Sequence, residues 1–220
     1  MAPVTEVVLL TLVPNADYAA ITESAKILAR QPGCLAVRTS RLHDARDKVH
    51  YFIDWDSVAS HLAFARNGDV YAPFRALVGS VMAAYAPPYH VALAPYPPAV
   101  FGGDGDGKGR AVMVGKAWFP AARAEGVAEA FAAFVGVLGE RGRALGFAGR
   151  AAGDWALEEE ILYKEVKSRV FLFVVAWEGV EAYVRFRDSE EFKSLLAPIA
   201  GLRGLRELDI CLVDLRDAGA

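Results

Sequence analysis

The side chains best suited to proton transfer are histidines, and all four lie in the first half of the 220-residue chain. A helix is expected to begin at Ser57, and it places His61 on one stripe with Val58, Leu62 and Ala65. We therefore expect this imidazole to face the interior, where it could exchange a proton with a bound phenol or enol near neutral pH. The other interpretation is a hydrogen-bonded core histidine that fixes helix packing.

The remaining histidines carry weaker predictions. His50 and His90 lie on predicted strands, each beside a tyrosine, and His43 lies in a polar turn where we expect it to contact solvent. Strand alternation puts His50 on one face with Asp54 and opposite Tyr51. The sequence leaves open which of these two faces lines a pocket.

Several other side chains are suited to holding a flat apolar ligand. Tyr51, Tyr71 and Phe74 supply aromatic surface, although such residues are more often core. Asp54 ends a strand and could orient a histidine. With His61 as the acid/base, the candidate substrate-binding residues are Tyr51, Asp54, Tyr71, Phe74 and His90.

Neither a metal nor a cofactor is predicted. His50, His61 and His90 do not follow a known ligand spacing, and no motif places a carboxylate beside them. The glycine-rich stretch Gly102–Gly109 resembles a P-loop, but Gly109 stands where the Ser or Thr of that motif should be.

Composition excludes several classes of protein. Lys and Arg number 24 against 27 Asp and Glu, and 54% of residues are hydrophobic, so disorder and nucleic-acid binding are both disfavoured. No apolar run approaches the roughly 18 residues of a membrane span. The segment 1–10 lacks the basic start of a signal peptide, and two distant cysteines suggest no disulfide framework. We expect a soluble cytoplasmic protein.

A repeat divides the chain in two. The segment beginning Trp55-Asp56 aligns with the one beginning Trp177-Glu178 at a constant offset, and each tryptophan follows a strand-like run. Residues 96–109 are rich in Gly and Pro and predict a linker. The expected domains are therefore 1–95 and 110–220, joined by 96–109.

Each half predicts the order strand, helix, strand, strand, helix, strand. This order is that of a ferredoxin-like unit, an antiparallel sheet with helices on one face. In the first half the last strand is expected near Tyr89–Ala94, and the second helical region is expected to be interrupted at Asn67-Gly68 and at Pro73. The sequence of residues 146–167 does not decide whether this segment forms a strand, a helix or both.

These residues also carry a family resemblance. A strand ending in Trp, then an acid, then a helix with His or Tyr six places after the Trp, resembles the dimeric α+β barrel superfamily. Within it the chain is most similar to the antibiotic-biosynthesis-monooxygenase (ABM) group, especially its fungal tandem members. The supporting segments are Gln31–Cys34, Trp55–His61, Tyr71–Phe74 and Trp177–Phe192.

The resemblance implies an α+β fold in which two tandem ferredoxin-like halves form an intramolecular pseudo-dimeric barrel, with homodimers of that unit also possible. It further implies that a His or Tyr in the helix after the tryptophan sometimes serves as an acid/base. We thus expect a cofactor-independent tailoring enzyme of secondary metabolism, a monooxygenase or a cyclase, acting on an aromatic or polyketide-like molecule. Two alternatives stay open: a non-catalytic ligand-binding or stress-associated barrel protein, and haem binding and breakdown.

Overall fold

The computed structural model describes residues 2–102, 110–120 and 125–217. The chain forms two compact units, one of Met1–Ala92 with Leu215–Ala220, and one of Leu93–Asp214. The predicted linker 96–109 includes residues 103–109, which lie outside the described ranges, so the bounds of the linker stay a prediction.

The first unit is a four-stranded antiparallel sheet with its helices on one face. The strands lie in the order β4-β1-β3-β2. The elements follow the predicted βαββαβ order, with the second helical region divided in two: β1 (Val4–Leu12), α1 (Tyr18–Ala29), β2 (Cys34–Arg41), β3 (Lys48–Trp55), α2 (Val58–Arg66), α3 (Gly68–Val81) and β4 (Met82–Val91).

The second unit repeats this topology with one added strand. Its strands lie in the order β9-β5-β8-β6, and the short β7 pairs with β8. Its elements are β5 (Arg110–Pro120), α4 (Val127–Arg141), β6 (Phe147–Trp155), β7 (Ile161–Tyr163), β8 (Val166–Trp177), α5 (Val180–Arg187), α6 (Glu190–Ala200) and β9 (Glu207–Asp217). The order β4-β1-β3-β2 in one unit and β9-β5-β8-β6 in the other is the ferredoxin-like order in both.

Alternation along the strands decides which side chains meet the helices. In β3, Tyr51, Ile53 and Trp55 join the helix-covered core of the first unit, together with Leu10 of β1 and Phe64 of α2. The register pairs Val8 with Tyr51 and Glu6 with Ile53, so these two β1 residues share that face. The face that carries Tyr51 is therefore the one covered by helices.

Two proline-based expectations are wrong. Helix α3 runs through Pro73 without a break, at the cost of the one hydrogen bond that the missing N–H would donate. Strand β4 begins at Met82 and includes Pro87 and Pro88, although we expected it to start at Tyr89. An edge strand tolerates proline, and β4 is at the end of its sheet, where its register on β1 shifts near these prolines.

The structure also shows the form of residues 146–167 and the orientation of Leu62. Residues 146–167 form strands β6 and β7 and the start of β8, not a helix. Leu62, which we expected to face inward, is 41% exposed, because the buried stripe of α2 runs through Phe64 instead. Among the described residues, no helix has both the length and the apolar character needed to cross a membrane.

Candidate functional site

A cavity of about 560 Å³ lies between the sheet and the helices of the first unit. This volume is within the usual range for a small-molecule site, roughly 300–1,000 Å³. Its wall is mostly aliphatic and aromatic and includes Val8, Leu28, Ile53, Phe64, Val78 and Met82. Such a wall suits an apolar ligand with few polar groups.

Three ionisable side chains meet at the polar end of this cavity. The ring nitrogen Nδ1 of His61 lies 2.8 Å from Nε2 of His90, and Nε2 of His61 lies 3.5 Å from Oε1 of Glu6. Glu6 and His61 both line the cavity. His90 is paired with Glu6 across the two strands, so its ring supports His61 from the sheet side.

Trp55 fixes the orientation of this cluster. Its indole N–H donates a hydrogen bond of 2.9 Å to Oε2 of Glu6, which is a buried carboxylate. The same indole stacks on the imidazole of His61, with ring centroids 5.5 Å apart and planes inclined by 25°. The tryptophan that marks the repeat in the sequence therefore holds both the acid and the histidine in place.

Helix α2 is held at its first turn, which sets the position of His61. Ser57 has an extended backbone and its hydroxyl accepts from the Ser60 amide, as in a regular N-cap. The amide of Asp56 donates to the carbonyl of Gly33 at 2.8 Å. Gly33 has φ +80° and a Cβ there would lie 2.5 Å from Ser60, so the turn before β2 requires glycine.

Three of the predicted ligand contacts do line the cavity: Tyr51, Tyr71 and Phe74. Tyr71 and Phe74 stack at 5.9 Å and both pack edge-on against Phe64. The hydroxyl of Tyr51 lies 2.7 Å from that of Ser24, and burial raises the pKa of this phenol. Tyr51 therefore presents a protonated, uncharged phenol at the wall of the cavity.

Asp54 and His50 lie on the opposite face of the sheet, away from the cavity. Asp54 is fully buried, accepts a 2.8 Å hydrogen bond from Thr5 and forms a 2.9 Å ion pair with Arg38. His50 Nδ1 is 3.2 Å from the Val8 carbonyl. The structure does not bring Asp54 to a histidine of the site, so its predicted role as a substrate-binding residue is corrected to one in the sheet.

Glu6 and Arg75 line the cavity but were missed in the sequence. A signal for Glu6 was present, because it is the one acid in the strand VTEVVLLTL and alternates with Val4, Val8 and Leu10 on one face. An acid on the apolar face of a strand predicts a buried carboxylate. Arg75 lies on an exposed turn of α3, with its guanidinium 6.0 Å from the centroid of the Tyr71 ring, and no pattern singled it out.

The second unit replaces these polar groups by apolar ones. Its register pairs Met113 with Val175 and Gly115 with Phe173, which places Met113 where the first unit has Glu6. Tyr183 stands at the position of His61 and is packed in the core. The Phe173 ring lies directly over Gly115, where a Cβ would be 2.0 Å from the ring. The acid–histidine pair is thus a feature of the first unit.

Solved structures share this fold. An anthrone oxidase-like protein matches 100% of this chain and 95% of its own at 16% identity, with a TM-score of 0.70. A candidate monooxygenase from Lactobacillus acidophilus NCFM matches 98% of this chain and 94% of its own at 10% identity, with a TM-score of 0.59. A candidate monooxygenase from Fusobacterium nucleatum matches 97% and 92% at 10% identity, also with a TM-score of 0.59.

These likenesses confirm the predicted fold class. The chain has an α+β fold of two tandem ferredoxin-like halves, which the anthrone oxidase-like protein and the two candidate monooxygenases share. No protein-family model and no curated protein matches the sequence.

Proposed function

We propose that this protein is a cofactor-independent tailoring enzyme that removes a proton from an aromatic, polyketide-type small molecule. The observation that carries the proposal is the Glu6–His61–His90 cluster at the polar end of an otherwise apolar cavity of about 560 Å³. A similar fold in an anthrone oxidase-like protein supports the same class of substrate. Fold alone does not establish a reaction, whereas a histidine hydrogen-bonded to a second histidine beside a buried carboxylate is suited to proton transfer.

Each member of the cluster has a distinct part in proton transfer. Nδ1 of His61 and Nε2 of His90 share a hydrogen bond of 2.8 Å, and we assign its proton to His61, since in that tautomer Nε2 of His61 carries the lone pair that a base needs. His61 then acts as the general base. The Glu6 carboxylate stabilises the imidazolium that forms, and Trp55 holds that carboxylate through its N–H. A base oriented by a second group is the usual arrangement for such a step.

The cavity favours an acidic carbon in a flat conjugated molecule. An anthrone has a CH₂ group between two aromatic rings, and its deprotonation gives an electron-rich anion that can transfer electrons to O₂. One oxygen atom then enters the product as the new carbonyl, and the other leaves as water. A cyclisation would begin with the same proton transfer and would consume no oxygen, so oxygen uptake distinguishes the two reactions.

The test compares wild type with His61→Ala on an anthrone, measured by oxygen consumption and by quinone absorbance. Removal of a general base typically lowers turnover by about 10²- to 10⁴-fold. The matched control is His43→Ala, because His43 is a partly exposed histidine of the turn before β3. It should leave turnover unchanged.

Ligand binding is measured separately by thermal shift, since a ligand at a hundredfold excess over its Kd stabilises the folded state by about 2.7 kcal/mol. His61→Ala should still bind the anthrone, because the aromatic wall is intact. Binding without any turnover in wild type would refute catalysis and support the non-catalytic ligand-binding protein instead. Full turnover in His61→Ala would refute the assignment of the base.

A further inference from the structure

We propose that Glu6, His61 and His90 also form a binding site for a divalent transition-metal ion of the Zn²⁺ or Co²⁺ type. One ligand atom from each of the three side chains can be chosen so that all lie within 4.8 Å of one another. Two imidazoles and one carboxylate are a known ligand set for zinc. The three residues come from β1, α2 and β4, so only the folded sheet and helix bring them together.

The distances are close to those that a metal ion requires. Zn–N and Zn–O bonds of about 2.0–2.2 Å put the ligand atoms of a tetrahedral site about 3.3 Å apart. The 2.8 Å distance joins Nδ1 of His61 to Nε2 of His90, whereas the 3.5 Å contact with Oε1 of Glu6 is made by the other ring nitrogen of His61, Nε2. One ion binds only one of the two His61 nitrogens. Since one atom from each side chain can be chosen within 4.8 Å of the other two, side-chain rotation has to close that spacing to about 3.3 Å.

The surroundings of the cluster match those of a metal site. The Trp55 N–H holds the second carboxylate oxygen of Glu6, as an outer hydrogen bond holds a ligating carboxylate in known sites. Glu6 and His90 are each only 5% exposed, so the ion would be shielded from bulk water. Two imidazole ligands favour zinc, cobalt, nickel or copper over magnesium and calcium, which prefer oxygen.

The cavity supplies the open side of the site. Glu6 and His61 face it, so an ion could keep a coordination position for water or for a ligand in the cavity. Metal and acid–base chemistry exclude each other here, because an ion would occupy the imidazole lone pair that the base needs. The metal site needs only the three ligand atoms and does not depend on the proposed reaction.

The test uses the full chain, stripped of metal by a chelator and titrated with Co²⁺. A four- or five-coordinate cobalt site with nitrogen and oxygen ligands has a visible d–d absorption that is much more intense than the weak band of octahedral cobalt. We expect this band to grow to saturation and to vanish when Zn²⁺ displaces the cobalt. A folded wild-type protein that develops no band would overturn the proposal, whatever its activity on an anthrone.

Variants locate the ion. Loss of an outer hydrogen bond alone weakens metal affinity by about 10- to 100-fold, which is the expectation for Trp55→Phe. Loss of a ligand in Glu6→Gln or His90→Ala should cost at least about 100-fold, whereas His43→Ala should cost nothing. Circular dichroism without metal verifies that each variant is folded.

If the variants that lack a metal ligand do not fold, NMR signals of the histidine rings in the wild-type protein test the site instead. In a long-range ¹H–¹⁵N spectrum the chain shows ring signals from its four histidines. Zn²⁺ should move the two that belong to His61 and His90 and leave those of His43 and His50 in place. Movement of the His43 signal alone, or of no signal, would refute the site.

Discussion

Replacing Asp54 by alanine should destabilise the first unit without affecting the cavity. Asp54 is 0% exposed and lies 2.9 Å from Arg38, a residue that is itself buried. Its other partner is the Thr5 hydroxyl at 2.8 Å. The change therefore leaves a buried guanidinium without its nearest carboxylate and a buried hydroxyl without its acceptor.

The expected loss is about 3 kcal/mol in the free energy of unfolding. Breaking a buried ion pair by removing one partner costs about 3–5 kcal/mol. The lower end applies, because Arg38 retains a second carboxylate, that of Asp217, at 3.7 Å from its Nε. Asp217 is partly exposed and supports the guanidinium only weakly. The double variant Arg38→Met with Asp54→Leu should recover much of the loss, since the one carboxylate that it deprives of a partner, Asp217, is partly exposed.

Urea unfolding followed by far-UV circular dichroism measures this effect. With a slope of about 1–3 kcal/mol per molar urea, a loss of about 3 kcal/mol lowers the midpoint by roughly 1–3 M. Asp44→Ala is the control, because Asp44 is an exposed acid, and it should change stability by less than about 0.5 kcal/mol. An unchanged midpoint in Asp54→Ala combined with lost anthrone binding would refute this reasoning and restore Asp54 to the ligand site.

Three further predictions concern packing and ionisation. Tyr51→Phe should cost about 0.5–1.5 kcal/mol by urea unfolding, because it removes the bond to Ser24, and unaltered ligand affinity would show that the ring alone forms the wall. Gly115→Ala should cost about 1–3 kcal/mol, because the new methyl group overlaps the Phe173 ring, and a destabilisation that the further change Phe173→Leu fails to relieve would contradict this cause. Burial, assisted by the charge of Asp54, raises the pKa of the Cys34 thiol from 9.0 to about 12. Because the unfolded thiol loses its proton first, the contribution of Cys34 to stability is complete below about pH 9 and is lost as the pH rises towards 12. Cys34→Ser should flatten the fall in stability above about pH 9, and an equal fall in both proteins would speak against this cause.

Much of the fold follows from local patterns. The strand-like runs before Trp55 and Trp177 were predicted from the repeat, and in the structure β3 ends at Trp55 and β8 ends at Trp177. The expectations at Pro73 and Pro87 were wrong because proline breaks a helix or strand only where its missing N–H would form a needed hydrogen bond or its ring would clash. In a strand this depends on position, since an edge strand has N–H groups that pair with no neighbouring strand.

The site was less predictable than the fold. His61 was proposed from residue type and helix phase, Tyr71 and Phe74 from residue type, and Tyr51 with the face of its strand left open; all four side chains lie on the wall of the cavity. His90 was placed in the same candidate site as His61, but Glu6 was not, because strand register brings Glu6 beside His90 across 84 residues of chain. Local patterns carry no information about such a pairing, whereas the lone acid in β1 at least indicated where to look.

The Phe173 ring, which lies over Gly115, affects how ligand binding to the chain should depend on ligand concentration. A tandem repeat with two equal pockets could couple them, so that the first ligand changes the affinity for the second and the saturation curve becomes sigmoidal or biphasic. Here Phe173, Met113 and Tyr183 take the place of the polar pocket in the second repeat. Among the described residues the acid–histidine pair thus occurs once, so ligand binding that depends on this pair should follow a simple hyperbola and give a graded response.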